Sequence, residues 1–199
     1  MTVFADGSVT RRIMEHTGDY LLTCFPVAGL SRPDAELAGR IVAIQPHSGM
    51  RKDIRVPIHG ISNSYFGAIQ AGPYLFAAGE VPVDTKAWRI VDRVEALAEP
   101  RRRLGIGKPY APAPIVPQAH YIYSLYEETL RAYGMELASG VHQTVYLCHA
   151  ADGPALEGVV ADRFGAATPA TTIAPILGAS PFTATRLELE LTAYRGPAA

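Results

Sequence analysis

Residues 65–84 read Tyr65-Phe66-Gly67-Ala68-Ile69-Gln70-Ala71-Gly72-Pro73-Tyr74-Leu75-Phe76-Ala77-Ala78-Gly79-Glu80-Val81-Pro82-Val83-Asp84. Two apolar runs, Tyr65 to Gln70 and Tyr74 to Ala78, flank Ala71-Gly72-Pro73. Glycine accepts a positive φ and proline fixes its own, so this trio predicts a tight turn and the whole stretch a β-hairpin. Gly79 follows the second strand, where a side chain is not expected to fit.

Downstream of the hairpin the pattern changes period. Gln118 to Tyr133 places Ile122, Leu125, Tyr126, Thr129, Leu130 and Tyr133 at spacings of three and four, which predicts a helix with one apolar face. Pro117 suits its first turn and Gly134 its C-terminal stop. Val141 to Ala150 reads as a strand. Asp152-Gly153-Pro154 starts a second helix with Leu156, Val159, Val160 and Phe164 on its buried face. Thr171 to Ile176 is a short strand. Arg186 to Tyr194 is the last strand, with Leu187, Leu189 and Leu191 alternating against Glu188, Glu190 and Thr192. The order from Tyr65 is β-β-α-β-α-β-β with hairpin-like opening and closing pairs. That predicts an α+β fold: a mixed sheet with two helices packed on one face.

Upstream, residues 1–60 read as an extension of short strands and turns, with apolar runs at Tyr20 to Val27 and Arg40 to Ile44. Arg51 to Pro57 is a polar linker or edge strand. Gly18-Asp19-Tyr20-Leu21-Leu22 faintly echoes Gly72-Pro73-Tyr74-Leu75-Phe76, so the extension could be a truncated repeat. The main domain is placed at 61–199, with a Pro- and Gly-rich insertion at about 85–116 that carries the basic residues Arg101, Arg102, Arg103 and Lys108.

Composition narrows the partners. The 199 residues include 18 basic and 19 acidic ones, a net charge of -1, so no strong field would attract nucleic acid or an acidic membrane. No stretch approaches the roughly 20 apolar residues of a membrane span, and no signal peptide is recognised, so a cytoplasmic location is expected. Cys24 and Cys148 lie far apart and outside any metal spacing, and read as reduced thiols rather than ligands or nucleophiles. His142 and His149, seven apart, point to opposite faces of a strand and cannot share a metal. No metal or cofactor is expected. Glu127 and Glu128 read as a solvated helix face.

Five stretches, in the right order over about 130 residues, resemble the Rid family (reactive intermediate/imine deaminases, also called YjgF or endoribonuclease L-PSP proteins). They are Tyr65 with Gly72 and Tyr74 to Asp84; the helix from Gln118 through Gly134; Val141 to Leu147; Phe164 to Thr172; and Leu187 to Leu191. The resemblance implies a chorismate-mutase-like α+β fold and a homotrimer with small-molecule clefts between subunits. In active members of that family the cleft hydrolyses an imine or enamine to ammonia and a 2-keto acid. Carried over residue by residue, the resemblance makes Tyr65 the cleft tyrosine and Glu190 the glutamate that positions water.

The family's substrate-binding arginine falls on Thr171, in Pro169-Ala170-Thr171-Thr172. A threonine lacks the charge-assisted, two-pronged grip of a guanidinium on a carboxylate. With the insertion, this resembles the divergent arm of the family. Thr171, Gly79 and Arg186 are the candidate substrate-binding residues, Arg186 as a possible replacement cation. Thr171 is expected beside Glu190, and Val145, Leu147 and Ile173 are expected on the face opposite the helices, at the trimer interface. The functional expectation is a small-molecule enzyme. The alternatives are a non-catalytic ligand-binding or interaction protein that kept the trimer and, less favoured by charge, an endoribonuclease.

Overall fold

The computed structural model describes residues 52–55, 67–84, 86–93, 113–179 and 183–196, the first of these as backbone only. Tyr65, Cys24, the apolar runs upstream of residue 51 and the basic residues of the insertion lie outside them.

The expected hairpin is formed by β2 (Ala68–Ala71) and β3 (Tyr74–Glu80), with Ala71 opposite Tyr74. Gly72 takes a φ of 58°, and Pro73 follows it. A positive φ at the first of two turn residues suits the right-handed twist of the flanking strands. Lys52–Arg55 is β1, an edge strand antiparallel to β2. Two short strands, β4 (Val83–Asp84) and β5 (Arg89–Ile90), form a separate ribbon that spans the start of the insertion. Asp84 Oδ1 accepts from Lys86 N and Ala87 N, both at 3.0 Å, and closes that turn.

Helix α1 (Ile115–Ala132) begins three residues before the expected start, so Pro117 sits inside its first turn, where the missing N–H costs nothing. Gly134, at φ 66°, ends it as expected. Then come β6 (Gly140–Leu147), α2 (Gly153–Phe164), β7 (Ala170–Pro175) and β8 (Leu187–Tyr194).

The strand order is β1-β2-β3-β8-β6-β7. The closing pair is not hairpin-like. β7 runs parallel to β6, with α2 as the crossover, while β8 inserts antiparallel between β3 and β6. The sheet is mixed, and both helices lie on one face, as their apolar stripes require. Ile122, Tyr123, Tyr126 and Leu130 of α1 pack with Leu156, Val159 and Phe164 of α2 over Leu187, Leu189 and Leu191. Tyr123 meets Phe164 edge-on, with centroids 5.2 Å apart.

Val145 and Leu147 belong to this helix-side core, not to the opposite face, which corrects the expectation drawn from their apolarity. Their register partners are Leu189 and Leu187, which fixes the side. Ile173, opposite Val145 on β7, is on the same side but remains half exposed at the sheet edge. Glu127 is not merely solvated: its Oε1 lies 3.0 Å from Arg163 Nη2 and ties α1 to α2.

Candidate functional site

Alternation along β8 and β6 sorts their side chains into two layers. Gln143, Val145 and Leu147 share the helix side with Leu191, Leu189 and Leu187. The open side therefore receives His142, Thr144 and Tyr146 from β6 and Glu188, Glu190 and Thr192 from β8. Thr144 is the register partner of Glu190 on one flank and of Thr172 on the other. Tyr146, opposite Glu188, donates from its hydroxyl to Glu190 Oε2 at 2.9 Å. His142 Nε2 and Thr172 Oγ1 are hydrogen-bonded at 3.1 Å.

This layer is acidic. Glu188 is buried, and its carboxyl is pushed up to about 8, first by loss of solvent and then by repulsion from Glu190 and Glu80. Glu80, at the end of β3, is likewise pushed up to about 8 by desolvation. It follows an irregularity in which the β3–β8 register slips between Ala77 and Glu80, it pairs with Leu189 across the strands, and it lies close enough to act on Glu188. The hydroxyl of Tyr126, from α1, lies against the carbonyls of Ala78 and Leu189 at this slip. Burial raises that phenol further from ionisation, and the three glutamates add to the effect. Thr144 Oγ1, in a side chain 5% exposed, has no hydrogen-bond partner.

The sequence-derived candidates are only partly brought together. Glu190 and Gly79 lie at or beside the acidic layer. Thr171 does not lie beside Glu190 within one chain. It pairs with Gln143, so it stands on the helix side of the sheet, two strands away from β8. Its hydroxyl accepts from Gln143 Nε2 at 2.8 Å and donates to Pro169 O at 3.1 Å, while Gln143 Oε1 accepts from Tyr123 at 2.8 Å. Thr171 thus terminates a relay from the helix layer.

Arg186 holds Asp152 Oδ2 at 3.4 Å, near the start of α2. Cys148 is half-buried, and burial pushes its thiol up, away from nucleophilic use. Glu188, Glu80 and Thr144 were not singled out from sequence. The alternation of β8 placed Glu188 with Glu190, but nothing local to residues 77–80 signals the slip that delivers Glu80.

Among the described residues, no three His, Cys, Asp or Glu side chains form a metal-binding group. No helix there is long and apolar enough to cross a membrane.

No family model and no curated protein sequence matches the chain. Solved structures do. A Klebsiella pneumoniae protein labelled a candidate endoribonuclease matches 66% of this chain and 99% of its own, at 20% identity and a TM-score of 0.61. A Yersinia pestis protein of the conserved Rid family matches 72% of this chain and 99% of its own, at 16% identity and a TM-score of 0.56. RidA from an Antarctic Psychrobacter matches over the same shares, at 16% identity and a TM-score of 0.54. At these identities the likeness is one of architecture: the chain has the Rid fold, the α+β architecture of the Rid and YjgF proteins.

Proposed function

We propose that this chain is a divergent Rid-type small-molecule enzyme that hydrolyses an imine or enamine in a cleft between subunits of a homotrimer. The observation that carries the reading is the pair of carboxyl groups on the open side of β8. Glu190 accepts the Tyr146 hydroxyl at 2.9 Å, while its neighbour Glu188 is pushed up to about 8. Two carboxyl groups in unlike environments can divide acid and base roles at one pH.

In imine hydrolysis, water adds to the imine carbon, the nitrogen gains two protons and leaves as ammonia, and a carbonyl remains. Glu190, steadied by Tyr146, takes the proton from the attacking water. Glu188, still protonated near neutral pH, supplies a proton to the nitrogen. Water provides the oxygen, its first proton on Glu190 completes the departing ammonia, and its second returns to Glu188 as the carbonyl forms. Tyr65, carried over from the family resemblance as the cleft tyrosine, is proposed to close the site, and Gly79 to let substrate approach the backbone.

The test is release of ammonia and 2-keto acid when an enamine, such as 2-aminoacrylate, is generated enzymatically in the presence of the protein. Turnover above the spontaneous rate that is lost in Glu190→Gln supports the reading; a rate equal to the buffer control overturns it. A second reading, a ligand-binding protein that kept the assembly and lost the chemistry, draws support from Thr171. That side chain holds Gln143 where the active family members have a carboxylate-binding arginine. An RNA-cleaving role has no support from a net charge of -1.

A further inference from the structure

We infer that Thr144, Thr172 and His142, on the open side of the sheet, anchor the carboxylate of a small 2-imino or 2-oxo acid and direct its C2 carbon toward Glu190. This rests on the proposed function for the chemistry and deepens it by naming the carboxylate anchor and the direction in which the substrate lies.

Register puts these side chains in one place. Thr144 of β6 pairs with Thr172 of β7 on one flank and with Glu190 of β8 on the other, so the three stand in line across the strands. Neighbouring strands lie about 4.8 Å apart, a spacing at which two hydroxyls can meet the two oxygens of one carboxylate. His142, two residues before Thr144 and on the same side, is joined through Nε2 to Thr172 Oγ1 at 3.1 Å. In either neutral tautomer that pair keeps a hydrogen to give. It is the hydroxyl hydrogen of Thr172 when Nε2 donates, and the one on Nδ1 when Nε2 accepts. Thr172 is exposed and His142 half-buried, so a ligand can reach both. Thr144 adds an independent observation. It is 5% exposed, and its hydroxyl has no hydrogen-bond partner among the described residues. A buried hydroxyl in that state costs stability that an isosteric valine would not. It can turn about χ1 toward a ligand at Thr172 without giving up a hydrogen bond.

The surrounding charges leave room for an anion at this end of the row. Glu188 keeps its proton up to about 8, so near neutral pH its carboxyl adds no negative charge. Glu190 is two strands from Thr172, on the order of 10 Å between backbones. A carboxylate held between Thr172 and Thr144 stays on the far side of Thr144 from β8. The C2 carbon bonded to it then points along the row to Glu190, the group that takes the proton from water in the proposed reaction. Thr171 cannot share this task within one chain. It faces the helix side, where its hydroxyl accepts from Gln143 and donates to Pro169 O. The anchoring role thus moves one residue along β7, to the opposite side of the sheet. Hydroxyl and imidazole donors grip a carboxylate more loosely than a two-pronged guanidinium does.

The test is titration of the full chain near neutral pH with 2-oxobutanoate and with its uncharged amide, 2-oxobutanamide, followed by calorimetry. The acid should bind at least tenfold more tightly than the amide. Thr144→Val, Thr172→Val and His142→Leu should each weaken the acid about tenfold, as loss of one hydrogen bond to a charged group does, and leave the amide unchanged. Thr144→Val gives the sharper reading, because it removes a buried hydroxyl that has no partner. It should be at least as stable in urea as the parent and still bind the acid less well, which a purely structural threonine would not do. In turnover it should raise KM more than it lowers kcat, whereas Glu190→Gln should lower kcat and still bind 2-oxobutanoate. Acid and amide binding alike, no binding of the acid, or undiminished binding in Thr144→Val or Thr172→Val each overturns the inference. Selective binding of the acid without turnover of 2-aminoacrylate leaves the inference standing and removes the proposed function. Turnover in a parent protein that does not distinguish acid from amide does the reverse.

Discussion

At the scale of single residues, Thr171 and Glu188 answer to different physics. Thr171 is a hydrogen-bond terminus: Gln143, 1% exposed, gives its amide proton to that hydroxyl. Thr171→Val keeps the shape and strands the donor, which should cost about 1–3 kcal/mol. Thr171→Arg strands it as well and adds bulk on the helix side of the sheet. Urea unfolding should show both variants less stable than the parent, and an unchanged midpoint would mean that the relay contributes nothing. Glu188 is an electrostatic problem. Its carboxyl holds its proton up to about 8 when folded, against a usual value of 4.5. The folded state therefore binds that proton more tightly than the unfolded one. The stability this contributes is complete below 4.5 and is lost as pH rises toward 8. Glu80, shifted the same way, adds to the loss. Stability should fall between pH 5 and 8, and Glu188→Gln should flatten part of that fall. A parent protein equally stable at both ends would show that these carboxyls are better solvated than their burial implies.

At the scale of elements, α1 does more than cover the sheet. Gln118, fully buried in its first turn, donates to Ala184 O at 2.9 Å and accepts from Arg186 N at 2.8 Å. One side chain thus pins the segment leading into β8, the strand that carries Glu188 and Glu190. Gln118→Leu leaves two backbone groups without partners, so a loss of about 2–4 kcal/mol is expected, read as a lower thermal midpoint. The hairpin, both helices and β8 were legible in sequence because each rests on a local period or turn residue. The strand order was not. Placing β8 between β3 and β6 is decided by pairing between residues more than forty apart, such as Thr144 with Glu190. The same limit applied to β6, where Val141, Val145 and Leu147 suggest one apolar side without saying which way it faces. The buried Gln143 on that side hides the alternation further. Glu190 could be proposed from resemblance. Glu80 and Thr144 could not, because their significance comes only from neighbours supplied by pairing.

At the scale of the whole molecule, the proposed trimer depends on what the chain leaves uncovered. Among the described strands, β7 is the last of the sheet on one side. Ile173 on that strand is 47% exposed, and Leu177, just beyond it, is 66% exposed. Two exposed large aliphatic side chains four residues apart favour burial by another subunit over solvation. A cleft shared between subunits would shield the acidic layer around Glu188 further from solvent. Light scattering at micromolar concentration should therefore give three times the 21.4 kDa chain mass. Ile173→Lys places a charge in the proposed contact at a position too exposed to carry much of the fold, where a substitution usually changes stability by about 0.5 kcal/mol or less. It should lower the mass toward one chain while the circular dichroism spectrum stays that of the parent. Imine turnover should decline in step with dissociation if the cleft is built by two subunits. A parent protein that scatters as a single chain and still turns over an imine would confine the site to one open sheet face and remove the intersubunit cleft from the mechanism.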